Sequence, residues 1–112
     1  MPENDRSKRR RYRRRTVRVL VEYLSSAGLC CDTATTLGAG GLFIETETPL
    51  PPGSRLKLAF QLPGGDVRHE IEGEVAWSRR PAEAGAGNAG MGIEFSDRAA
   101  SMRLASELRD LD

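Results

Sequence analysis

The sequence of 112 residues predicts a mainly β domain: five or six short antiparallel strands in a small β-barrel, with a C-terminal α-helix and a flexible basic N-terminal arm. Three observations carry this expectation. Apolar and polar residues alternate in several short segments, turn signals recur about every ten residues, and a helical period appears only after Phe95. A barrel also removes the exposed edges that short strands would otherwise present. The length suits a single domain. Residues 1–8 read as a disordered tail, 9–15 as the arm, 16–95 as the barrel and 97–111 as the helix.

The elements follow in chain order. Residues 1–8 are polar and patternless. Arg9 to Arg15 set six arginines around Tyr12. Val17, Val19, Val21 and Tyr23 then alternate with Arg18, Leu20 and Glu22 as a first strand. Ser25 to Gly28 breaks it, and Leu29 to Thr36 is its weaker partner. Gly38-Ala39-Gly40-Gly41 predicts a tight turn that uses glycine's freedom at positive φ, opening a short strand from Leu42 to Thr46. Pro49 to Gly53 is a turn poor in ladder donors. Leu56, Leu58, Phe60 and Leu62 then face one way, with Arg55, Lys57, Ala59 and Gln61 the other. After the hairpin turn Pro63 to Asp66, Ile71, Gly73, Val75 and Trp77 share the inner face of the return strand, against Glu70, Glu72 and Glu74. Arg80 to Gly90 is a Gly/Ala-rich connection, and Met91, Ile93 and Phe95 give the last strand. Ser96 and Asp97 are N-cap types; Met102, Ala105, Leu108 and Leu111, with Leu104 beside them, form the apolar stripe of the helix.

Charge is divided unevenly along the chain. The first 18 residues hold nine cations and two carboxylates, net +7, whereas the other 94 hold eight and fourteen, net −6. A basic arm on an acidic body calls for an anionic partner such as a phosphate, nucleotide or nucleic acid. No apolar run reaches the roughly 20 residues of a membrane span, and Arg18 and Glu22 interrupt the segment behind the arm, so neither membrane insertion nor a secretory leader is expected. The adjacent Cys30 and Cys31 lack spaced partners for a disulfide or metal, which points to a reducing, cytoplasmic setting and to packing on alternate strand faces. His69, the sole histidine, shares parity with Ile71 and reads as a half-buried structural residue. Trp77 and Phe60 read as core, and Glu70, Glu72 and Glu74 as a solvated face. No nucleophile, acid–base pair or metal cluster can be assembled, so neither catalysis nor a cofactor is expected.

The arginine run exceeds what solubility requires, and guanidinium forks match phosphate oxygens and guanine edges. Arg10-Arg11-Tyr12-Arg13-Arg14 before the first strand resembles the RxxxR motif of the PilZ domain family, bacterial receptors for cyclic di-GMP. The run also admits Arg9/Arg13 and Arg11/Arg15; Arg10/Arg14 is preferred for its distance to Val17–Tyr23. Thr36-Leu37-Gly38-Ala39-Gly40-Gly41 aligns with the family's (D/N)xSxxG, although Thr36 replaces Asp or Asn and Gly38 replaces Ser. Gly73–Trp77 and Met91–Phe95 resemble its later strands.

The resemblance implies a six-stranded antiparallel PilZ-type β-barrel with a C-terminal α-helix, without catalytic activity. It implies a cyclic di-GMP site at Arg10, Arg11, Arg14, Thr36, Gly38, Gly40 and Gly41, and an arm that closes over the ligand and relays binding to a partner protein in motility or envelope regulation. The altered second motif carries the alternative, a degenerate adaptor that works by protein–protein contact alone. A third reading would use the arm on RNA or DNA, against which the acidic body argues.

Overall fold

The computed structural model describes residues 15–84 and 88–110. Residues 1–8, expected as a tail, the arm residues 9–14 with Arg10, Arg11 and Arg14, and Leu111 of the expected helix stripe lie outside the described residues. Six strands form: β1 (Arg15–Ser25), β2 (Gly28–Gly38), β3 (Gly41–Glu45), β4 (Arg55–Gln61), β5 (Arg68–Arg79) and β6 (Gly90–Phe95). One-turn α1 (Pro81–Ala84) lies in the β5–β6 connection, and α2 (Arg98–Asp110) follows β6. The strands close into a barrel in the order β1-β2-β3-β6-β5-β4, with every neighbouring pair antiparallel.

Alternation explains the closure. In β4, Leu56, Leu58 and Phe60 are buried between exposed Arg55, Lys57 and Gln61; in β5, His69, Ile71, Gly73 and Val75 are buried between exposed Arg68, Glu70, Glu72 and Glu74. Val19, Val21 and Tyr23 from β1, Leu42 and Ile44 from β3 and Met91 and Ile93 from β6 complete the interior. β2 extends two residues past the expected Thr36 and pairs with both β1 and β3. Arg68 spans the outside of the seam, donating to Glu22 of β1 at 3.0 Å and to Glu70 at 3.3 Å. It reaches over Ala59, which lies opposite both carboxylates.

Three expectations fail for identifiable reasons. Positive φ occurs at Gly28, Gly53 and Gly64, in the turns, and not at Gly38, Gly40 or Gly41, whose glycines answer to a different constraint described below. Cys30 and Cys31 are both exposed: Cys31 lies opposite exposed Glu22, and Cys30 stays open although its partner Tyr23 is buried. The stripe of α2 runs through Ala100, Leu104 and Leu108, leaving Met102 66% exposed. A four-residue step tracks the 3.6-residue turn more closely than the expected three-residue step.

The start of α2 behaves as expected. Asp97 Oδ1 accepts the Ala100 N–H at 3.0 Å, the N-cap arrangement, and the Ser101 N–H donates to Asp97 O at 2.9 Å. Buried His69 faces Glu107 through a short Nε2–Oε1 contact, tying the helix to β5.

Candidate functional site

Three breaks in the ladder fall together on one side of the barrel. β1 shifts against β2 between Thr16 and Val19, β2 against β3 between Ala34 and Thr36, and β5 against β6 between Val75 and Trp77. A bulge sets two residues opposite one, bends its strand and re-aims the next side chain, and bulges concentrate beside binding sites. Between them the cross-strand partners form one line: Thr16 opposite Thr36, Thr36 opposite Phe43, Phe43 opposite Gly92, and Gly92 opposite Trp77. Along it Thr36, Phe43, Gly92 and Trp77 stand as cross-strand neighbours about 5 Å apart on a shared face.

The bulge at Ala76 corrects the sequence reading of Trp77. One extra residue reverses parity, so Trp77 leaves the core side and stands 44% exposed, while Phe60 is buried as expected. The indole stacks on Phe43 with centroids 5.4 Å apart and planes 21° from parallel. The Arg79 guanidinium lies 5.6 Å from the Trp77 centroid and 5.8 Å from that of Phe43, in cation–π range of both. Arg79 Nε donates to Asn88 O at 2.8 Å, and the Asn88 side-chain amide donates to the Glu45 carboxylate. Glycines make room for the rings. A Cβ on Gly92 would penetrate the Trp77 indole, and one on Gly90 would penetrate the Phe43 ring and Ile44 O.

The second-motif positions gather in the β2–β3 hairpin beside this platform. Thr36 is half-buried in the line of partners, Gly38 is buried opposite Gly41, and Gly40 O accepts the Phe95 N–H at 3.0 Å. Gly41 is required by close approach: a Cβ there would fall on Ile93 O of β6. Arg10, Arg11 and Arg14 are not among the described residues; covalent continuity links Arg14 to Arg15, whose partner is Leu37, next to Thr36. Phe43, Trp77 and Arg79 were missed in the sequence. The signal available was Gly90-x-Gly92, two glycines on one strand face, which marks close approach by something else. Among the described residues no group of three His, Cys, Asp or Glu could hold a metal ion.

The family model for the PilZ domain matches residues 8–110. The chain belongs to the PilZ domain family. Among solved structures it is similar to the Inhibitor of motility (MotI/DgrA) of Bacillus subtilis, with 18% identity and a TM-score of 0.68 over 89% of this chain and 51% of that one. It thus spans about half the length of that protein. It is also similar to the PilZ domain of CeSA from a cellulose-synthesizing bacterium, with 16% identity and a TM-score of 0.63 over 87% of this chain and 98% of that one. These likenesses are of fold. No curated protein matches the sequence. PilZ domains are generally cyclic di-GMP-binding adaptor domains and typically non-catalytic. Among the described residues no helix is long and apolar enough to cross a membrane.

Proposed function

We propose that this PilZ domain binds cyclic di-GMP on the outer face of β2, β3, β6 and β5 and relays the event to a partner protein. The observation that carries the proposal is the line Thr36–Phe43–Gly92–Trp77, which begins at Thr16, the residue that follows the arginine run. The stacked rings offer a flat apolar surface to a purine. Arg10, Arg11 and Arg14 supply charge-assisted donors for phosphate and guanine edges, and the Thr36 hydroxyl with the Gly38–Gly41 backbone borders the ligand. Closure of the arm over the nucleotide changes the surface offered to a partner, which suits a binding domain without a catalytic group. A cytoplasmic setting fits that role, and likeness to an inhibitor of motility favours a partner in motility over one in the envelope.

Trp77 is the only tryptophan, so its emission reports on the site directly. Titration with cyclic di-GMP is expected to quench it saturably, with no response to GTP and none in Arg10→Ala/Arg14→Ala. A second reading rests on Thr36 and Gly38: two polar side chains of the family motif are missing, and an unpaired buried ligand group costs about 1–3 kcal/mol. In that reading the domain is an adaptor without ligand. A folded protein silent to cyclic di-GMP in both fluorescence and calorimetry establishes it in place of the first.

A further inference from the structure

The outer face of β4 and the first half of β5 carries an unusual charge arrangement. Arg55 lies directly opposite Glu74, and Lys57 opposite Glu72. All four side chains are exposed, yet among the described residues none makes an ion pair or side-chain hydrogen bond. They rim a groove of about 330 Å³ together with Leu24 and Ser96. Neighbouring Arg68 already bridges Glu22 and Glu70, so these three groups are engaged among themselves through the guanidinium.

We propose that this face pairs with a second copy of the chain. A cationic strand beside an anionic one is self-complementary under a twofold axis lying in the interface, parallel to the strands and midway between them. The axis places β4 of one copy over β5 of the other. Because opposing residues share a level along the strands, Arg55 then meets the second copy's Glu74 and Lys57 its Glu72, and both contacts repeat by symmetry. Leu24, 48% exposed at the level of Lys57, comes over the second copy's Ser96. The whole chain has a formal charge of only +1, so no net repulsion opposes association. Trp77 and Arg79 lie past the β5 bulge and stay uncovered. A convex barrel brings only a few residue rows together, so the dimer is a weak, charge-driven one.

The test is sedimentation of the full chain at about 0.5 mM, in about 20 mM and about 500 mM salt. At low salt the mass is expected to be twice the 12.3 kDa of the monomer, falling to monomer at high salt. Arg55→Glu/Lys57→Glu and Glu72→Lys/Glu74→Lys should each be monomeric, because both of their strands carry one sign. An equimolar mixture of the two should restore the dimer, since every contact is again between opposite charges. A monomeric wild type at low salt, a dimer unaffected by either variant, or a mixture that stays monomeric overturns the proposal.

Discussion

At the scale of single residues, two glycines with the same apparent freedom carry different constraints. A Cβ on Gly41 meets the backbone carbonyl of Ile93, which cannot yield without separating β3 from β6. Gly41→Ala is expected to lower stability by about 2 kcal/mol or more, read from the urea midpoint. A Cβ on Gly92 meets the exposed Trp77 ring, which can swing away. Gly92→Ala is therefore expected to leave the midpoint nearly unchanged while shifting tryptophan emission and weakening any ligand that stacks there. Tyr23 gives a pH-dependent case. Burial, and then its 2.6 Å hydrogen bond to Asp32 and the charge of that carboxylate, raise the phenol pKa well above the usual value. The unfolded chain ionises first, so Tyr23 leaves stability unchanged below about pH 10 and subtracts up to about 1.4 kcal/mol per unit above it. Tyr23→Phe should cost about 1 kcal/mol at neutral pH and remove that alkaline slope, which unfolding curves at pH 8 to 11 can measure.

At the scale of elements, α2 depends on one cap and one buried stripe. Asp97→Ala should cost about 1 kcal/mol and Leu104→Ala about 2–5 kcal/mol in thermal or urea unfolding, the second because Leu104 is fully buried. Most strands were legible in the sequence because burial on one face imposes period two, as in Leu56–Leu62 and Ile71–Val75; β2, whose burial does not alternate, showed only as a weaker segment. The bulge was not legible. Inserting Ala76 changes neither composition nor hydrophobicity, yet it reverses the parity of every residue after it. Trp77 looked like core for that reason, and the aromatic half of the candidate site stayed hidden. The hairpin half was visible because Thr36 to Gly41 is contiguous in the chain, whereas Phe43, Gly92 and Trp77 meet only through pairing across three strands.

At the scale of the whole molecule, the basic arm and the acidic barrel are expected to be separable. Among the described residues the core lies between Val19 and Leu108, so removing residues 1–14 should leave the unfolding temperature within a few degrees of the full chain. The same truncation should abolish cyclic di-GMP binding, and circular dichroism with fluorescence titration reads both outcomes on one sample. What the barrel holds together and what its surface recognises are set by different atoms. Strand pairing closes through all six strands, so the scaffold's ladder draws on backbone groups that nearly every residue supplies. Thr36 keeps its place in that ladder whether it carries a carboxylate, an amide or a hydroxyl. In evolutionary terms, a lineage of such barrels can drift away from one ligand, or toward another, without passing through an unfolded ancestor.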